Sequence, residues 1–150
     1  LSKRTDSTSI DLMLQLATGK FKTGVPSGEM AFVDVRDVAK AHILAGFSST
    51  ASGRHVCVSD HKTFLDMANV IRANYPKYPL PKGFVPKWLF WLIAPLAGFT
   101  RKYVKLNVGI DLKFDNSYIR KDLEMNFIPF EQTITDHFQQ LRNDGIVKKL

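Results

Sequence analysis

The stretch from Met30 to Ala45, Met-Ala-Phe-Val-Asp-Val-Arg-Asp-Val-Ala-Lys-Ala-His-Ile-Leu-Ala, reads as a strand, a charged turn and a helix in close succession. Residues 31–35 are apolar except Asp34, which predicts a strand covered on both faces. The small residues that follow predict a buried helix able to approach a neighbouring sheet closely. Asp34 precedes Asp37 by three positions, so one carboxylate can accept the free N–H groups of the first helical turn while the other favours the positive end of the helix dipole. Arg36 is thereby held at the turn.

Three segments in order carry a resemblance. Phe-Val-Asp-Val-Arg-Asp-Val-Ala-Lys-Ala-His at 32–42, Ser-Gly-Arg-His-Val-Cys-Val-Ser at 52–59 and Arg-Lys-Asp-Leu-Glu-Met-Asn-Phe-Ile-Pro-Phe-Glu-Gln-Thr-Ile at 120–134 together resemble the C-terminal half of the extended short-chain dehydrogenase/reductases. The branch in question includes dihydroflavonol reductases and sugar-nucleotide epimerases. The resemblance implies an α/β fold, with a few short strands flanked by helices, that forms the substrate-binding portion of a Rossmann-type reductase. It also implies NADP or NAD as cofactor and a small-molecule carbonyl or alcohol as substrate.

Enzymes of that family open with a strand, a Gly-rich phosphate-binding turn and a helix, and set a Tyr four residues before a Lys on one helical face. This sequence lacks both. Gly24 and Gly28 flank Pro26 with no apolar strand immediately before them, and read as turn residues. Tyr78 and Lys82 have the dyad's spacing, but Pro79 and Pro81 between them forbid the helix that would align the side chains. The expectation is therefore that no catalytic group lies here, and that the N-terminal Rossmann region with the Tyr–Lys dyad lies upstream of Leu1.

Composition agrees with that reading. A chain of 150 residues, 45% hydrophobic, can bury a core in one region spanning 1–150. The single Cys57 sits in an apolar run, where it reads as a small buried hydrophobe and implies a reducing, cytoplasmic setting. No secretory signal is recognised, and the apolar run from Trp88 towards Phe99 is too short for a membrane span and includes Pro95. The net charge of +7 raises nucleic-acid binding, but Lys3/Arg4, Arg101/Lys102/Lys105, Arg120/Lys121 and Lys148/Lys149 read as scattered, solvated surface.

The spacing of Ile10, Met13, Leu14 and Ala17, behind Ser7, Thr8 and Ser9, predicts a helix over 10–18 stopped by Gly19. Arg54–Ser59 predicts a second strand, and Thr63 with Asp66 a capping-box start to a helix ended by Pro76. The prolines of 76–86 predict an extended connector over the surface. Residues 87–94 are apolar nearly all round, which requires that something cover them. Leu112–Asp115 predicts a short strand, with Asn116 or Ser117 capping a helix through Leu123. Phe130, Ile134, Phe138 and Leu141 predict a last helix from Pro129, stopped by Gly145 with Ile146 folding back.

Residues carrying recognisable chemistry are few. The four histidines lack the spacing of a helical metal pair, so no metal site is expected, and His42 reads as a core histidine beside Val38 and Ala45. Asp34, Arg36 and Asp37 read first as a structural network at the strand–helix corner. The resemblance implies a cofactor-diphosphate role for Ser9 near a helix N-terminus. Arg36 is a candidate for an anionic group, and Trp88, Trp91 and Phe99 for an aromatic or acyl substrate. A strand at 54–58 without its upstream neighbours leaves an apolar edge, which predicts homo-oligomerisation or association with the absent Rossmann region. Alternative readings are a non-catalytic binding or interaction module, or the corresponding half of a sugar-nucleotide epimerase or dehydratase.

Overall fold

The computed structural model describes residues 7–97 and 100–150. Helices dominate, joined by short strands, in the order α1 (Thr8–Ala17), β1 (Val25–Pro26), β2 (Glu29–Phe32), α2 (Val35–Phe47), β3 (Asp60–Thr63), α3 (Phe64–Asn74), β4 (Phe84–Val85), α4 (Lys87–Ile93), α5 (Arg101–Asn107), α6 (Ser117–Asp122) and α7 (Phe130–Asn143). A short 3₁₀ turn, Ala94–Ala97, extends α4.

The strand at the decisive stretch begins and ends earlier than expected. Pairing covers Glu29–Phe32, and Val35 already lies in α2, because the Asp34 side chain accepts the Arg36 N–H and begins the helix. Nor is β2 covered on both faces, since Ala31 is exposed and its neighbours are half-buried. Its partner is β3, antiparallel, with Glu29 opposite Thr63 and Phe32 opposite Asp60. The Ser59 N–H and hydroxyl both donate to the Phe32 carbonyl at 2.8 and 2.9 Å and close this ladder. The expected strand at 54–59 is thus displaced: its pairing starts only at Ser59, and residues 54–58 belong to no strand. A strand forms only where a second strand can take its backbone groups.

The other pair, β1 with β4, is parallel and two residues long. Gly24 and Gly28 permit it at the turns. Both have positive φ, 142° and 129°, and a Cβ on Gly24 would come within 2.9 Å of the Val85 side chain. Residues 112–115, expected as a strand, belong to none; the segment is held instead by the Phe114 N–H donating to His61 Nε2.

The main core joins α1, α3 and α7. Met13, Leu16, Ala68, Ile71, Phe130 and Phe138 pack there at 3% exposure or less. The four expected residues of α7 are its buried ones, and the capping box of α3 is complete, with Thr63 and Asp66 each serving the other's backbone N–H. After α7, Gly145 takes a φ of 73°, and the Ile146 and Val147 N–H groups both reach the Leu141 carbonyl. Val147 then buries more fully than Ile146.

The proline-rich connector is tucked in rather than laid over the surface. Tyr78, Leu80 and Pro81 are buried, and the Tyr78 hydroxyl donates to the Lys148 carbonyl at 2.7 Å while accepting from Arg142 Nε at 3.1 Å. Burial of these apolar side chains outweighs the lack of regular backbone pairing, and the hydroxyl's bonds remove its desolvation cost. Two helices are less covered than their sequences require. On α2 only Asp37 and Ala41 are buried, leaving Ile43 and Phe47 exposed. His42 is also exposed, its Nδ1–H donating to the Val38 carbonyl at 2.8 Å, and so is no core histidine. On α4, Phe90 turns inward with Ala94 against Val104 and Val108, while Trp88, Trp91 and Leu92 face solvent.

Candidate functional site

Two adjoining cavities share Ser9, Val33, Thr133 and His137 as a common wall. The first, about 740 Å³, is bounded by the start of α1, the turn 33–36 and one face of α7. Its polar feature is the Arg36 guanidinium. Nε and Nη2 donate to the two oxygens of Asp34 at 2.9 and 2.7 Å, and Nη2 also meets Asp136 at 2.8 Å. This fork geometry suits a carboxylate and fixes the turn. The charge-assisted bonds from Arg36 hold the Asp34 carboxyl at about 2, against an ordinary 3.8, although burial opposes ionisation.

Thr133 and His137 stand one turn apart on α7. The Thr133 hydroxyl is buried without a hydrogen bond of ordinary geometry, yet lies near enough to Asp34 to draw its carboxyl slightly further down. Burial pushes the His137 imidazole below its ordinary value, and the nearby Asp34 charge offsets part of that push. A neutral imidazole is therefore kept at the wall between the cavities.

The second cavity, about 760 Å³, is mostly apolar and runs between α1, β2 and the α4–α5 pair. Met30, Phe32, Met67, Phe90, Tyr103 and Leu112 are among its lining residues. Around it, the corner of α2 is pinned by the Asp37 carboxylate, which accepts the Ile128 N–H at 2.8 Å. Asp37 lies in the first turn of α2, at the positive end of the helix dipole as expected, and its buried side chain also ties α2 to the segment before α7. Elsewhere, Cys57 is half-buried, and burial followed by the Asp37 charge pushes its thiol up.

Of the expected site residues, the structure gathers Ser9 and Arg36 in the first cavity. Ser9 lies in the first turn of α1, where Ser7 is the cap but makes no side-chain hydrogen bond. Trp88 and Trp91 line neither cavity, and the Arg101 guanidinium lies 4.6 Å from the Trp91 ring centroid. Phe99 lies outside the described residues. His137, Thr133, Phe90 and Tyr103 were not singled out. A signal existed for Phe90: it and Ala94 stand four apart, as do Val104 and Val108, the spacing of two helices that pack. Among the described residues no group of three or more His, Cys, Asp or Glu can hold a metal ion, and no helix is long and apolar enough to cross a membrane.

This arrangement of short strands and helices has known counterparts. Over 145 residues, 97% of its length, the sequence is 30% identical to cinnamoyl-CoA reductase 1 of Petunia hybrida. The chain is related to the extended short-chain dehydrogenase/reductases, as a C-terminal part. It covers 38% of that petunia relative's length, and 25% of anthocyanidin reductase of Arabidopsis thaliana, to which it is 35% identical over 84 residues. The fold matches Gre2 of Candida albicans, solved in complex with NADPH, with a TM-score of 0.64 over 95% of this chain and 38% of that one at 22% identity. No protein-family model matches the sequence.

Proposed function

We propose that this chain is the substrate-side part of an NADP- or NAD-dependent reductase of the dihydroflavonol reductase-like kind, which reduces a small-molecule carbonyl or runs the reverse alcohol oxidation. The similarity to cinnamoyl-CoA reductase along 97% of the chain carries the reading, and the apolar cavity between α1, β2 and α4–α5 supports it. In this reading the flat body of the substrate lies against Phe32, Phe90 and Tyr103. Ser9 and the open N–H groups beginning α1 hold the cofactor diphosphate, an anion suited to a helix N-terminus. Arg36 meets an anionic group of the substrate by exchanging Asp136, whose side chain is 42% exposed, while its pair with the buried Asp34 stays in place.

The bound nicotinamide supplies the hydride. Proton transfer belongs to a Tyr–Lys pair on polypeptide upstream of Leu1, so the 150-residue chain alone is inactive. It works in the cytoplasm, and its exposed α2 face meets the Rossmann region or a second copy.

The test is to join this sequence to the coding sequence upstream of Leu1. The joined protein is expected to oxidise NADPH or NADH with an aromatic aldehyde or acyl thioester, and the 150-residue chain to do neither. Ser9→Ala should raise the KM for cofactor roughly tenfold, as loss of one charge-assisted hydrogen bond does, with little change in kcat. Turnover by the isolated chain, or a joined protein that fails to bind either cofactor, would overturn the reading.

A further inference from the structure

The basic excess of this chain has one source. Between Asp66 and Asp111 there is no Asp or Glu, but Arg72, Lys77, Lys82, Lys87, Arg101, Lys102 and Lys105 all lie there. The other 14 Lys and Arg are matched by the chain's 14 Asp and Glu, so the whole net charge of +7 belongs to this stretch. The expectation of evenly scattered charge is corrected accordingly.

The same stretch also holds a broad apolar surface. Trp88 is 70% exposed, Leu92 54% and Leu106 56%, with Trp91 and Ile93 also open to solvent. Two observations place four of these cations, Lys87, Arg101, Lys102 and Lys105, on one hairpin with the apolar residues. Arg101, at the start of α5, covers the Trp91 ring of α4, and Lys87, at the start of α4, donates from Nζ to the Lys105 carbonyl near the end of α5 at 3.1 Å. Phe90, Ala94, Val104 and Val108 form the inner seam of the hairpin, which leaves the tryptophans and most of the cations outside.

We infer that the α4–α5 hairpin docks in the plane of an anionic lipid surface. Trp88, Trp91 and Leu92 enter the boundary between headgroups and acyl chains, and Lys87, Arg101, Lys102 and Lys105 meet lipid phosphates. Exposed tryptophans flanked by Lys and Arg, without a single acid, have the chemistry of an interfacial helix. A second copy fits less well, because it would set this positive patch against itself. An ordinary protein interface is depleted in lysine at its core. Docking is distinct from spanning, and it is independent of the reductase reading.

Vesicle sedimentation of the 150-residue chain tests the assignment, and since Trp88 and Trp91 are its only tryptophans, their emission reports on this surface alone. Mixed phosphatidylcholine–phosphatidylglycerol vesicles are expected to bind the chain at low salt and release it at high salt. Pure phosphatidylcholine should bind it weakly. Tryptophan emission should shift to the blue on binding and be quenched by brominated acyl chains. Replacing Arg101, Lys102 and Lys105 by Gln together should weaken binding on the order of a hundredfold, at about fivefold for each charge. Trp88→Ser with Trp91→Ser should weaken it as well, whereas Phe47→Ser, on the exposed face of α2, should leave it unchanged. The inference is overturned by equal binding to neutral vesicles, by no binding at all, or by a Phe47→Ser loss as large as that of the tryptophan variants. It is equally overturned by a dimer that shields the tryptophans from an aqueous quencher.

Discussion

The Asp37 carboxylate on the first turn of α2 accepts the Ile128 backbone N–H at 2.8 Å, across 91 positions of sequence. Asp37 is 4% exposed, so this bond sets how α2 meets the segment leading into α7. Asp37→Ala should leave the part-buried Ile128 N–H without its partner and lower unfolding free energy by about 1–2 kcal/mol. Asp37→Asn keeps an acceptor in place and should cost less. Urea unfolding of both variants measures the difference, and an Ala variant as stable as the parent would refute the role.

Acid should loosen the corner at Asp34. Because Arg36 holds the carboxyl at about 2 in the folded chain, below the 3.8 of an unfolded one, the pair stabilises the fold above about pH 4 and loses that contribution as pH falls towards 2. With Arg36 half-exposed, the contribution is about 1–2 kcal/mol after solvent screening. Arg36→Gln should flatten this part of the stability–pH curve, readable by circular dichroism in urea at successive pH values.

His137 gives a second, separate pH effect of the same sign. Its imidazole is held below 6.5 by burial, so the unfolded chain binds more protons in the window beneath 6.5. Stability should therefore rise with pH through that window and level off above it. His137→Gln should abolish the slope and leave most of the acid limb at Asp34, which Arg36 dominates. NMR titration of the imidazole supplies the direct check; a midpoint at or above 6.5 would contradict it.

The open face of α2 makes a different kind of prediction. Phe47 is 89% exposed and Ile43 60%, more than a solitary surface helix usually leaves open. The purified chain should bind a hydrophobic dye and self-associate with rising concentration. Ile43→Ser with Phe47→Ser should reduce both, at a cost in stability under about 0.5 kcal/mol since neither side chain is buried. A parent chain that stays monomeric in light scattering across that concentration range would count against it.

Local chemistry was legible in the sequence. The intervals of Phe130, Ile134, Phe138 and Leu141 identify the buried side of α7, Thr63 with Asp66 identifies the start of α3, and Asp34 identifies that of α2. These depend on residues within a turn or two of each other. What was not legible depends on distant partners. Residues 54–58, with the apolar run Val56–Val58, look like a strand until one asks what pairs with them, and the ladder that forms joins 29–32 to 60–63 instead. The burial of Tyr78 and Leu80 depends on packing against α7 and the residues after it, which no local spacing reveals.

The candidate site divides in the same way. Ser9, expected from the family resemblance, and Arg36, read from its place at a helix start, both line the first cavity. His137 and Thr133 reach the cavity wall only through the packing of α7 on α1, and Phe90 is distinguished from Trp88 and Trp91 only by which side of α4 meets α5.

Phe130, Ile134, Phe138 and Leu141 close the core over side chains of α1 and α3 that are made far earlier. On the ribosome, Met13, Leu16 and Ile71 must therefore wait, uncovered, until synthesis has passed residue 141. Nascent chains shortened before α7 should thus be chaperone clients, and folding of this part should switch on abruptly once α7 has emerged rather than accrue as each helix emerges.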